Sequence, residues 1–225
     1  MLSKLLSGNL DFGSAIIYIL SSLVVIFLTL PVHEYAHGWT AVKLGDPTPK
    51  YQGRLSLNPF AHIDYLGAAC ILFFGFGWAK PVQINSNNFK SPKKGMAITA
   101  IAGPISNLLV SLIALLLMNA ASLIFSGVNL TAQFYIYYFF YYIAQINIYL
   151  AVFNLIPIPP LDGSRLLSAL LPYKQYYTLM RYEKYFFIAL LGLLWLGILD
   201  VPLNFLSNAI MNLLGYIAGL PFSIF

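Results

Sequence analysis

The residues best suited to chemistry in this chain are concentrated in the run His33-Glu34-Tyr35-Ala36-His37. On a helix, imidazoles at i and i+4 project from one face, and a glutamate between them borders the same cavity. That arrangement binds zinc and keeps a base beside it. No charged side chain occurs between Phe12 and Val32. Two imidazoles and a carboxylate at the end of such a run are costly to bury in lipid, so the pattern points to function at membrane depth.

A catalytic zinc site takes three protein ligands and leaves a fourth position open. Asp64, Asp162 and His62 are the candidates for the third ligand. Asp162 is favoured, because the helix expected from Phe134 runs into Asn154-Leu155-Ile156-Pro157-Ile158-Pro159-Pro160-Leu161-Asp162-Gly163, where three prolines forbid its continuation. Non-helical backbone survives at membrane depth where protein buries it or a water-filled cavity borders it, which sets a carboxylate beside a wet pocket. Plainer roles remain open at this stage. Asp162 would cap the helix starting at Ser164 or pair with Arg165, His62 and Asp64 would order a turn, and Asn154 would satisfy backbone freed by Pro157 and Pro159.

The elements that must position these residues are read from composition and apolar runs. With 60% hydrophobic and 8% charged residues in 225 positions, the chain falls far below the roughly one-quarter charged share of soluble domains and reads as a polytopic all-α membrane protein. Five stretches, about 14–42, 96–125, 134–156, 176–199 and 203–222, are long enough to cross a hydrocarbon core of about 30 Å. The apolar piece 65–77 is too short and is broken by Gly75 and Gly77, so it is expected to re-enter. The net charge of +5 forms no basic stripe and excludes a nucleic-acid partner. A signal peptide is rejected for the first segment, since no small-residue cleavage site precedes the histidines. The single Cys70 excludes an internal disulfide and a multi-cysteine zinc site.

The basic residues report topology. Lys43, Lys50, Arg54, Lys80, Lys90, Lys93 and Lys94 flank the short apolar piece, and Arg165, Lys174, Arg181 and Lys184 share one later loop; only Lys4 lies apart. The positive-inside rule puts these loops in the cytosol, the N-terminus outside and, with five spans, the C-terminus inside. His33 lies ten residues before Lys43, roughly 15 Å along the helix axis, within the bilayer and nearer the cytosol.

Together these motifs carry a resemblance to the site-2 protease family of intramembrane zinc metalloproteases, in its short form without a PDZ domain. The matching pieces are His33-Glu34-Tyr35-Ala36-His37, Asn58-Pro59-Phe60-Ala61-His62-Ile63-Asp64, Gly75-Phe76-Gly77-Trp78-Ala79-Lys80-Pro81-Val82, Ala102-Gly103-Pro104-Ile105-Ser106-Asn107 and the proline-rich segment ending Leu161-Asp162-Gly163. The resemblance implies that His33, His37 and Asp162 bind one zinc ion per chain, that Glu34 is the catalytic base, and that Asn154 sits near the substrate or oxyanion. It also implies a transmembrane protein as substrate, in a single domain of residues 1–225 with a catalytic core at about 14–171 and accessory helices at 176–225. A cell-membrane location with the active site toward the cytosol follows from the same reading.

Two short alternating segments, Arg54-Leu55-Ser56-Leu57 and Val82-Gln83-Ile84-Asn85, are expected to form a small membrane-associated β-hairpin offering an edge to an extended substrate. Gly103 and Asn107 read as close helix packing with an interhelical hydrogen bond, Phe134 to Tyr142 as an interfacial aromatic belt, and Asn204, Asn208 and Asn212 as one polar face of the last helix. The competing function from another class is a non-hydrolytic zinc-binding carrier or binder of membrane segments, which needs the ligands but not Glu34.

Overall fold

The computed structural model describes residues 12–74, 77–125 and 130–223. Helix α1 (Phe12–Lys43) is uncharged over most of its length and carries the histidines near its end. Between Val25 and Thr29 it widens into a π-helical turn in which the Leu30 amide donates to the Val25 carbonyl. Pro31 has no amide to offer Phe27, and the helix is widened in the turn just upstream of it.

A short helix α2 (Thr48–Tyr51) and α3 (Tyr65–Phe74) precede two long antiparallel helices, α4 (Pro92–Ile124) and α5 (Leu130–Asn154). Ala114, Leu115 and Met118 of α4 meet Ile143 and Ala144 of α5 in one buried cluster. Small residues let these backbones come close: the Ser111 hydroxyl donates to the Ala144 carbonyl at 3.2 Å, and Ser21 of α1 reaches the Phe139 carbonyl at 3.0 Å. After the proline-rich turn come α6 (Asp162–Leu170), α7 (Tyr173–Arg181), α8 (Glu183–Trp195) and α9 (Asp200–Gly219). Helix α9 packs on α4 and α5 through Leu203, Met211, Leu214 and Ala218, leaving Asn204, Asn208 and Asn212 exposed.

Among the described residues, four helical stretches are long and apolar enough to cross a membrane: Phe12–Lys43, Pro92–Ile124, Leu130–Asn154 and Asp200–Phe222. Their outer faces expose Leu28, Ile105, Leu109 and Ile113, as lipid-facing helices do. The chain is an all-helical integral membrane protein.

Two expectations are corrected. The stretch 176–199 is not one span, because the helix breaks at Tyr182 into pieces of 9 and 13 residues beside the charged Arg181, Glu183 and Lys184. The β-hairpin also fails: among the described residues there is no strand, only an isolated antiparallel bridge between Ile63 and Ala79. Its cause is visible in the donors. The Val82 amide bonds Glu34 and the Asn85 amide bonds Asp46, so side chains take the hydrogen bonds that a partner strand would need.

Helix α3, at 10 residues or roughly 15 Å, is too short to span. Its Gly67 packs directly on the Trp78 backbone, so the chain turns back against the helix it has just left. Gly75 and Phe76 lie outside the described residues, as do 1–11 with Lys4.

Candidate active site

Three elements converge on the site. Helix α1 supplies His33, Glu34 and His37, all buried; the segment after Gly77 supplies Val82; the proline-rich turn delivers Asp162 at the start of α6. That turn closes tightly. The Ile158 amide bonds the Ile156 carbonyl at 2.8 Å and Leu161 bonds Ile158 at 3.0 Å, while Gly163 sits against the carbonyls of Leu155 and Ile156, where a side chain would collide.

The ligand atoms form a small triangle. His33 Nε2 and His37 Nε2 are 3.0 Å apart, and Asp162 Oδ2 is 3.2 Å from the first and 3.0 Å from the second. Zinc bonds of about 2.0–2.2 Å to nitrogen and oxygen imply donor separations of about 3.3 Å in a tetrahedron, close to those seen. Tautomers strengthen the fit. His37 Nδ1 lies 2.7 Å from the Thr99 carbonyl, which only accepts, and His33 Nδ1 lies 3.3 Å from Asn107 Oδ1. With both protons on Nδ1, both Nε2 lone pairs and a carboxylate oxygen point at one another, an arrangement that a cation resolves. Gly103 completes the cradle: a Cβ there would strike both imidazoles.

Glu34 lies outside this three-residue group. Its Oε2 accepts the Val82 amide at 3.0 Å, which holds one of the two carboxylate oxygens. The loop that presents Val82 is tied down twice. Lys80 donates its amide to the His62 carbonyl at 2.7 Å, and buried Asp46 accepts from the Asn85 amide, the Asn88 side chain and the Thr48 amide and hydroxyl. Gly45, at φ 110°, makes the turn after α1 that brings Asp46 there. Burial raises the Asp46 carboxyl, but the bonds from Thr48, Asn88 and Asn85 outweigh it and hold it below the usual carboxylate value.

His33, Glu34, His37, Asn154 and Asp162 line one cavity of about 550 Å³, walled also by Trp78, Phe187 and Leu194. Among the described residues, His33, His37 and Asp162 form the one group able to hold a metal ion. His62 and Asp64 are not brought to it. His62 donates Nε2–H to the Ser56 carbonyl at 2.7 Å, and Asp64 accepts the Gly67 amide at 2.9 Å, so both order the turn before α3. Asp162 makes no ion pair with Arg165; its recorded partners are the two histidines. The sequence does not signal Thr99, whose role is played by its backbone carbonyl, or Asp46; the interhelical hydrogen bond expected at Asn107 is made, and its partner is His33.

The model of peptidase family M50 matches residues 120–196, which include Asn154 and Asp162. "Putative zinc metalloprotease YwhC" of Bacillus subtilis strain 168 is 41% identical over 181 residues, covering 78% of this chain and 79% of its own length. "Zinc metalloprotease MJ0392" of Methanocaldococcus jannaschii is 26% identical over 154 residues, 68% of this chain but 35% of that protein. "Putative zinc metalloprotease Rip2" of Mycobacterium tuberculosis is 27% identical over 169 residues, 68% of this chain and 62% of that protein. No solved structure matches the chain. With a relative of such identity covered over most of its length, and a three-ligand group able to hold zinc, the chain belongs to peptidase family M50, the site-2 protease family of zinc metalloproteases.

Proposed function

We propose that this zinc metalloprotease hydrolyses a peptide bond in or near the transmembrane segment of a membrane protein, with His33, His37 and Asp162 as its metal ligands and Glu34 as its base. The observation that carries the reading is the triangle of His33 Nε2, His37 Nε2 and Asp162 Oδ2 inside a cavity at the end of a membrane-length helix. Zinc, when bound, supplies the Lewis acidity that activates water and polarises a scissile carbonyl. Glu34 accepts the proton of the attacking water through its unbonded oxygen and returns it to the leaving amine. Asn107 and the Thr99 carbonyl hold the two imidazoles in the ligating tautomer. Asn154, which lines the cavity, donates to the oxyanion.

A substrate helix has its carbonyls hydrogen-bonded, so it unwinds locally before it reaches Glu34. Residues 14–171 form the catalytic core of one domain spanning 1–225, and the accessory region 176–225 closes the cavity with Phe187 and Leu194. The site opens toward the cytosolic side of the cell membrane, a reading supported by the basic residues of the loops that flank it. Glu34→Gln tests the assignment: it retains zinc and loses turnover on a membrane-spanning substrate. Turnover that survives the substitution refutes Glu34 as the base.

A further inference from the structure

The cavity lining joins apolar side chains to three carboxylates, Glu34, Asp162 and Glu183, and three cations. Those cations are Arg165, Arg181 and Lys184. Among the described residues none of the three cations makes an ion pair or hydrogen bond; Lys184 lies over the Tyr185 ring at 5.1 Å. Arg165 is the best placed. It stands one helical turn after Asp162, is half-buried, and also lines a second cavity of about 170 Å³ with Ser164, Tyr176 and Glu183, with which it makes no ion pair. Asp162 makes no ion pair with it; the carboxylate's partners are His33 and His37. A half-buried, uncommitted guanidinium beside the reacting centre favours a carboxylate and disfavours a cation.

Resting on the peptidase reading above, we propose that Arg165 is a specificity-determining residue: it selects substrates carrying a carboxylate just beyond the scissile bond, at the end of the segment nearest the cationic loop. That carboxylate is an Asp or Glu side chain or a free C-terminus. The guanidinium offers planar paired donors that match it, and Arg181 and Lys184 add to the attraction from the exposed rim.

The test uses the full chain as Glu34→Gln in detergent, where binding is read without cleavage. Its probes are fluorescent single-span peptides with one common apolar segment whose cytosolic flank carries Asp, Asn or Lys, and a further pair ending in a free carboxylate or an amide at the same position. The Asp peptide binds about tenfold tighter than the Asn peptide, the size of one charge-assisted hydrogen bond, and the Lys peptide binds weakest. Arg165→Gln in the same background brings Asp and Asn within about twofold at unchanged zinc content, Arg165→Lys restores part of the preference, and Arg165→Glu favours the Lys peptide. The terminal pair separates a side-chain carboxylate from a chain end. Equal affinity for all flanks overturns the inference, as does a preference that Arg165→Gln leaves intact. An Arg165-dependent gain in affinity for phosphatidylglycerol vesicles with no flank preference also overturns it, assigning the rim to lipid. Failure of the wild-type protein to cleave peptides that it binds with this preference would refute the peptidase reading alone.

Discussion

His33 and His37 face each other through Nε2 atoms 3.0 Å apart, each turning its Nδ1 toward a different acceptor on α4. One turn of α1 therefore presents two lone pairs to the same point, and α4 fixes that orientation. The metal group depends on α4 as much as on its own ligands, although α4 contributes none.

The clearest consequence concerns Gly103. Gly103→Ala puts a methyl group where both imidazoles stand and lowers zinc affinity about 10–100-fold, in the range of lost outer-shell support. Zinc titration of the purified variant against a fluorescent chelator checks this. An affinity equal to wild type would mean that the imidazoles do not need the cradle.

Asn107→Ala removes the acceptor of the His33 Nδ1 proton and frees the other tautomer. Zinc affinity falls in the same direction, by about tenfold, and Asn107→Asp retains most of it because a carboxylate still accepts that proton. Isothermal titration of both variants makes the comparison, and equal losses would assign Asn107 to packing.

Proline placed along the segment after Lys80 gives a graded pattern. Val82→Pro deletes the amide that holds Glu34, and Asn85→Pro deletes one bond to Asp46; each lowers kcat by about tenfold or more with zinc retained. Gln83→Pro removes no recorded backbone bond and is milder. Cleavage rates of the three variants on one substrate test this order, and a uniform loss would favour the edge-pairing role instead.

Asp46 makes a pH-dependent contribution to stability. Because its folded carboxyl titrates below the unfolded value of about 3.9, its contribution is fully present above that value and is lost as pH falls through the folded one. Asp46→Ala destabilises the folded protein by about 2–4 kcal/mol near neutral pH, and the difference from wild type shrinks below about pH 4. Thermal melts in detergent across that range measure it; a pH-independent difference would mean that the charge is unimportant.

Much of this was legible in the residues themselves. The i, i+4 histidines on an uncharged helix and the three prolines before Asp162 each state a geometric requirement that only one arrangement meets. The fourth expected span fails because the apolar count over 176–199 hides the charges Arg181, Glu183 and Lys184, around which the helix breaks at Tyr182. The hairpin was misread because alternation in Val82 to Asn85 says nothing about where the amides go, and two of them go to Glu34 and Asp46. Partners that act through backbone, such as the Thr99 carbonyl, leave no trace in residue type.

The most direct test of the central claim is the zinc content of the detergent-purified protein beside that of Asp162→Ala. The account predicts about one zinc per chain in the wild type and its loss or sharp weakening in the variant, since a carboxylate from α6 closes the triangle begun by His33 and His37. Zinc retained in full by Asp162→Ala, or absent from both proteins under non-chelating conditions, would contradict it.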